Sequence, residues 1–227
     1  MPTTMTEEMD RYNTDILGII DYDGVKSGAV RFKSVPSFVF ALDFKVDVPG
    51  YGTITVDIAF GGAFYAVVDA KQYGLDVTKS RVTDIQKAAG DTTDALKKQI
   101  KLTHPESSDL AFVYGTIMTD GKDMYSEEAT SNICIFADRQ IDRSPCGSGV
   151  TTRAAIMYAR GFLNLGQSRQ FKCLTGTTFT SKPIRKVQYG PYDNAVIVEV
   201  SGHGYYTGTS VYTLEEDDVI GQGFLLN

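Results

Sequence analysis

Along residues 16–68, short runs rich in Val, Ile, Phe and Tyr alternate with turn signals at Asp23-Gly24, Pro36, Pro49-Gly50-Tyr51-Gly52 and Gly61-Gly62. Apolar runs of that length between breakers predict several antiparallel strands. Over residues 78–101 the period changes. Val82, Ile85, Ala89, Leu96 and Ile100 fall three, four or seven positions apart with charged residues between them, which predicts an amphipathic helix facing a core. His104-Pro105 is expected to end it, because the residue before a proline is pushed out of the helical region. Residues 111–118 and 132–136 read as strands around an acidic loop that carries Asp120-Gly121 and Glu127-Glu128. A second helix is predicted over residues 149–163, with Ala154, Ala155 and Ala159 giving a small-residue face and Gly161 and Gly166 marking its end. Strand-like text resumes at Val187, at residues 195–200, at Tyr205-Tyr206-Thr207-Gly208 and at Val211-Tyr212-Thr213. One helix per large block of strands predicts an α+β fold rather than a regular βαβ repeat.

Composition narrows the class. The 227 residues carry a formal charge of −6 and are 42% hydrophobic, as expected of a globular chain large enough to form a core without disulfide or metal staples. No apolar run reaches the ~18–20 residues of a spanning helix, and residues 1–10 lack the basic-then-apolar order of a secretion signal, so no membrane association is expected. Three cysteines (Cys134, Cys146 and Cys173) and no Asn-x-Ser/Thr site point to a reducing, cytoplasmic setting. With 28 acidic against 22 basic residues, nucleic acid is not an expected partner.

The stretch from Asp142 to Val150, Asp-Arg-Ser-Pro-Cys-Gly-Ser-Gly-Val, reads as strand, tight turn and helix start. Cys146 would stand at or just before the helix N-terminus, where free N–H groups and the helix dipole stabilise an anion and acidify a thiol. Such a thiol can exchange a proton near neutral pH. Gly147 and Gly149 let a ligand approach the main chain, and Asp142 could hold a cationic group. A carboxylate for an ammonium beside N–H groups for a carboxylate describes an amino-acid site. By burial alone a cysteine is a small hydrophobe, and Cys134 and Cys173 are expected to be core residues. Other chemistries find less support. Cys146 and Arg153 make Cys-x6-Arg, one residue longer than a cysteine-phosphatase loop. His104 and His203 read as surface or turn residues, and Glu127-Glu128 as a solvated loop. There is no nucleotide-binding glycine motif and no zinc spacing, so no metal is expected.

The segment from Asp142 to Gly149 resembles the second active-site motif of the proline racemase family, which includes racemases, hydroxyproline 2-epimerases and hydroxyproline dehydratases. The likeness runs over nearly the whole chain. Gly28-Ala29-Val30-Arg31-Phe32-Lys33-Ser34-Val35-Pro36, Asp57-Ile58-Ala59-Phe60-Gly61-Gly62-Ala63-Phe64-Tyr65, Tyr114-Gly115-Thr116 and Tyr206-Thr207-Gly208 follow in the family's order. His104-Pro105-Glu106 and Thr119-Asp120-Gly121-Lys122-Asp123 are similar to the animal-type members that dehydrate trans-3-hydroxy-L-proline. The resemblance implies a diaminopimelate-epimerase-like fold, with two similar halves each wrapping a mixed or antiparallel sheet around a central helix, and the substrate between them. Carried over by motif, Cys146 is an acid/base residue and Asp142 holds the ring nitrogen. Gly147 and Ser148 supply main-chain donors to the carboxylate, and Phe136 forms an apolar wall. The implied reaction, without a cofactor, is dehydration of this imino acid to pyrroline-2-carboxylate by Cα proton abstraction and loss of the 3-hydroxyl. Racemisation or 2-epimerisation through Cys146, or an imino-acid-binding remnant without catalysis, are the alternatives.

Two departures accompany the likeness. The family's first motif, a Cys-Gly-His segment, is expected upstream of where this chain begins, since no cysteine precedes Cys134. Animal dehydratases usually carry Thr where this chain has Cys146, and Cys is the racemase and epimerase residue. The chain is therefore expected to hold mainly the C-terminal half of the fold. Residues 1–24 would be a remnant of the N-terminal half, 25–203 the half with the cysteine motif, and 204–227 a segment returning to the N-terminal half. Residues 16–20 and 211–226 are expected to expose apolar surface and to favour a homodimer.

Overall fold

The computed structural model describes residues 19–22, 27–205 and 208–225, with side chains described from Gly28 onward. The Asp23-Gly24 turn, the side chains of residues 16–20, and Tyr206-Thr207 therefore lie outside the described residues.

The strands in chain order are β1 (Ile19–Tyr22), β2 (Ser27–Lys33), β3 (Phe38–Val48), β4 (Gly52–Phe60), β5 (Phe64–Asp69), β6 (Val113–Thr119), β7 (Thr130–Phe136), β8 (Gln140–Ile141), β9 (Arg169–Lys172), β10 (Thr178–Tyr189) and β11 (Tyr192–His203). Two α-helices interrupt them, α1 (Val82–Gln99) and α2 (Gly147–Ala159). The strands hydrogen-bond in the order β1-β2-β11-β10-β9-β7-β6-β5-β4-β3, with β8 beside β7. Most neighbours are antiparallel. The exceptions are β5 with β6 and β7 with β9, each joined by a crossover that contains one α-helix. The result is the mixed-sheet α+β architecture expected from the sequence.

The sheet curls back on itself. Ser37 exchanges both main-chain hydrogen bonds with Val196 on β11, at 2.8 and 2.9 Å, and the Ser34 N–H donates to the Val198 carbonyl at 2.8 Å. This brings the start of β3 against β11, and the strands enclose α2, which contacts β3, β4, β5, β10 and β11. A helix surrounded on all sides must be apolar or internally satisfied all round, and residues 149–157 are all buried. The small side chains of Gly149, Ala154 and Ala155 let the strands close on it. The one long charged group among them, Arg153, is held by Asn132, Thr130 and Asp123 and lies with its guanidinium 5.0 Å from the Phe171 ring centre.

α1 packs on the outer face of the sheet. Ile85, Ala88, Ala89, Thr92 and Leu96, which share one face of the helix, are buried against it. The middle strands thus lie between two helices. On β5, Phe64, Ala66 and Val68 join the cluster under α1, and Tyr65 and Val67 face the opposite way, in the cluster that contains Cys146. That double burial is why β5 reads as a continuous apolar run rather than an alternating one.

Several expectations change. α1 ends at Gln99, with Ile100 already extended (φ −132°), five residues before Pro105, so proline does not end it. α2 starts at Gly147, two residues earlier than its apolar pattern suggests, because the glycine-rich turn is itself helical. Among the described residues 208–225 there is no strand, although Val211-Tyr212-Thr213 has strand-forming residues; β-propensity needs a pairing edge to act. As expected, that segment is exposed, with Val211, Tyr212, Val219 and Leu225 more than 90% accessible. His104 lies in the loop after α1, half-buried rather than on the open surface. It packs on Phe38, Phe60, Phe64 and Tyr189, and its Nδ1 accepts from the Ser107 N–H at 3.2 Å. Burial holds its pKa below the ordinary histidine value. No helix among the described residues is long and apolar enough to cross a membrane.

Candidate active site

Cys146 is the N-cap of α2, with φ 71° and ψ 112°. A side-chain-bearing residue with positive φ is strained by about 1–3 kcal/mol and persists only where its surroundings hold it. Here they hold it from three directions. Its own N–H donates to Ser144 Oγ at 3.0 Å, and Ser144 in turn donates through N–H and Oγ to Asp142 Oδ1, both at 2.8 Å. Asn132 on β7 donates from Nδ2 to the Pro145 carbonyl at 3.1 Å, and Arg153 Nη1 fixes the Asn132 oxygen at 3.1 Å. On the far side, Thr175 Oγ1 and the Cys173 thiol both bond the Arg143 carbonyl, at 2.8 and 3.1 Å.

The sulfur is set where the helix offers its unpaired donors. Gly149 N–H donates to Cys146 Sγ at 3.3 Å. Ser148 Oγ lies 3.6 Å from the sulfur, and the Tyr65 hydroxyl lies 3.1 Å from Ser148 Oγ and 3.8 Å from the sulfur. The Cys146 thiol is held below the ordinary value. The largest cause is the Cys134 thiol as hydrogen-bond donor, with Ser148 and the Gly149 N–H adding to it; burial and the Asp142 charge oppose the shift. Cys134 moves the other way, pushed up by that same hydrogen bond and by burial. The contact between the two thiols thus shifts them in opposite directions, Cys146 down and Cys134 up.

All five residues singled out in the sequence fall in one region. Cys146 and Ser148 are in contact, and Gly147 lies between them on the first turn. A Cβ added at Gly147 would meet Phe32 Cζ only at 3.5 Å, so the main chain there is approachable. Asp142 is half-buried beneath the turn, with Oδ1 engaged by Ser144. Phe136 is partly buried against the Cys146 cluster and stacks on Tyr114 at 5.6 Å. The Arg153 guanidinium is engaged by Asn132, Asp123 and Thr130, which argues against the phosphatase reading. His203 is exposed at the end of β11, and the contacts of His104 lie in the aromatic cluster.

Two residues of this region were not legible as such. Cys134, expected to be an ordinary core residue, is buried but stands against Cys146, because β7 leads into the motif loop and the Asp142 N–H returns to the Cys134 carbonyl at 3.1 Å. Tyr65 comes from a strand 81 residues upstream of Cys146. Beyond closing the Asp57–Tyr65 stretch shared with the family, its sequence signal is a phenol inside an apolar run, since a buried hydroxyl needs a partner. Cys173 is buried, as expected, and serves the back of the motif turn.

Known proteins share this arrangement of chain. A trans-L-3-hydroxyproline dehydratase of Xenopus tropicalis is 55% identical over 93% of this chain and 61% of its own length. A trans-3-hydroxy-L-proline dehydratase of Homo sapiens is 55% identical over 90% of this chain and 58% of its own. The crystal structure of a hydroxyproline epimerase from Agrobacterium vitis, with bound trans-4-hydroxy-L-proline, superposes with a TM-score of 0.77 at 29% identity, covering 91% of this chain and 58% of that one. The chain thus spans about three-fifths of the length of these relatives. The sequence profile described as proline racemase matches residues 14–225, and with these identities the chain belongs to the proline racemase family.

Proposed function

We propose that this chain acts in the dehydration of trans-3-hydroxy-L-proline to pyrroline-2-carboxylate, with Cys146 as an acid/base group at Cα. The observation that carries the reading is the Cys146 sulfur, held at the N-terminus of an enclosed helix with the Gly149 N–H, Ser148 and Tyr65 around it. The two dehydratase relatives at 55% identity support the choice of substrate. Asp142 would hold the ring ammonium, the Gly147 and Ser148 N–H groups the carboxylate, and Phe136 an apolar face of the ring.

The stereochemistry of the substrate suits this chemistry. The 3-hydroxyl is trans to the carboxylate, so the Cα–H and C3–O bonds lie on the same face of the ring. The Cys146 thiolate takes the Cα proton, the Cα–H electron pair forms the ring double bond, and the C3–O bond breaks. The sulfur then returns its proton to the departing oxygen as water, and the enamine tautomerises to the imine. No cofactor is called on. One group on one face suffices for elimination, whereas epimerisation needs a second group on the opposite face.

A specific observation favours a second reading. The residue at 146 is a thiol, as in racemases and epimerases, and not the Thr usual in animal dehydratases. Proton NMR of the chain in D2O with trans-3-hydroxy-L-proline, trans-4-hydroxy-L-proline and L-proline, beside Cys146→Ser, separates the readings. Conversion of the first substrate to pyrroline-2-carboxylate supports the dehydratase. Deuterium at Cα without elimination replaces it with an epimerase or racemase. Silence with all three overturns both and leaves an imino-acid-binding chain. We further propose that copies associate through the exposed apolar residues of 211–225. Light scattering that finds a soluble monomer refutes this.

A further inference from the structure

Outside the motif, a buried phenol faces the start of α2. Tyr65 is 1% exposed and sits on the inner face of β5, reached by the close turn at Gly61-Gly62. A Cβ at Gly61 would lie 2.7 Å from the Ser148 carbonyl, and one at Gly62 would lie 3.6 Å from Ser148 Cβ, so the turn rests directly on the first turn of α2. That approach aims the phenol at the helix start. Tyr65 Oη, Ser148 Oγ and Cys146 Sγ form a closed triangle with sides of 3.1, 3.6 and 3.8 Å.

We propose that Tyr65 is a positioning residue for the Cys146 thiol, acting through Ser148: its hydroxyl donates to Ser148 Oγ, which donates to the sulfur when the thiol is ionised. This rests on the reading of Cys146 as the acid/base group. Hydroxyls suit the task because each is both donor and acceptor. With the thiolate present, the Tyr65 and Ser148 protons point down the chain toward sulfur, and each bond polarises the next. When the thiol carries a proton, Ser148 rotates and accepts from it. A cation in the same place would favour only the thiolate and would hold back the return of the proton. The shortest side of the triangle is the Tyr65–Ser148 contact, which places Ser148 as the intermediary. Tyr65 itself keeps its proton throughout, because burial first, and the neighbouring thiols next, push its ionisation far up. The other titratable groups facing the sulfur are Cys134 from β7 and Asp142 from the preceding loop.

The test reads the thiol without requiring turnover. Cys146 is alkylated with iodoacetamide across pH 6–10 in the full chain, in Tyr65→Phe and in Ser148→Ala, and the site is followed by peptide mass spectrometry. Both variants should move the reactivity profile to higher pH and slow alkylation at pH 7 by roughly 3- to 10-fold, the loss of one hydrogen bond in the chain. In a turnover assay Tyr65→Phe should lower kcat with KM nearly unchanged. A Tyr65→Phe profile that superposes on the parent overturns the proposal, as does a shift in Tyr65→Phe absent from Ser148→Ala. If Tyr65→Phe fails to fold, the Ser148→Ala profile alone decides, and an unshifted curve refutes the relay. Failure of the function reading appears separately, as a shifted profile in a chain that converts none of the imino acids.

Discussion

Gly61→Ala should damage both the fold and the site, by an amount the geometry sets. Gly61 is not among the glycines with positive φ, so alanine meets no backbone penalty there and contact alone is tested. The added Cβ would lie 2.5 Å from the Thr152 nitrogen, 2.6 Å from Thr152 Oγ1 and 2.7 Å from the Ser148 carbonyl oxygen. Two of these are main-chain atoms of α2, which cannot rotate away, so turn and helix must separate by at least half an ångström to restore a 3.0 Å approach. An interior packed to crystal density absorbs such a shift at a cost of about 2–3 kcal/mol. At about 2–4 °C per kcal/mol for a chain of this size, the melting midpoint should fall by roughly 5–10 °C. The same separation lengthens the 3.1 Å Tyr65–Ser148 contact, so Cys146 alkylation at neutral pH should slow in parallel. Thermal denaturation followed by circular dichroism, with alkylation rates at 25 °C, reads both effects. A midpoint within 2 °C of the parent together with unchanged Cys146 reactivity would show that the turn does not rest on the helix.

Two further outcomes test the frame around the site. Arg153→Ala removes the partner of Asp123, Thr130 and Asn132 at once. Because Asp123 is itself about a third exposed, the loss should fall near the lower end for a broken buried ion pair, about 3 kcal/mol in urea unfolding; a loss below 1 kcal/mol would contradict the buried network. For His104, burial depresses the folded-state pKa, so between that value and the unfolded one, about 6.5, the unfolded chain binds the extra proton. Stability from this group is present above about pH 6.5 and declines as pH falls below it. His104→Asn keeps an acceptor for the Ser107 N–H without the titration, so its stability should fall less between pH 7 and pH 5. Parallel curves would refute the assignment.

The sequence alone determined the parts of this protein that are local. The four- and seven-residue spacing of Ile85, Ala89 and Leu96 made α1 legible, since one helix with one apolar face writes its period directly into the chain. The order Asp142 to Gly149 made the helix-terminal thiol legible, because cap, turn and donors lie within eight consecutive residues. What depends on contact between distant segments was not readable. Tyr65 and Cys134 sit in strands whose neighbours are apolar on both sides, and where both faces are buried the alternation that tells one face from the other is lost. Only the closure of the sheet around α2 decides that Tyr65 meets Ser148 while Phe64 and Ala66 turn to α1. The residues Val211-Tyr212-Thr213 show the converse. Their strand propensity is real, but a strand exists only against a partner edge, and propensity carries no information about whether that edge is there.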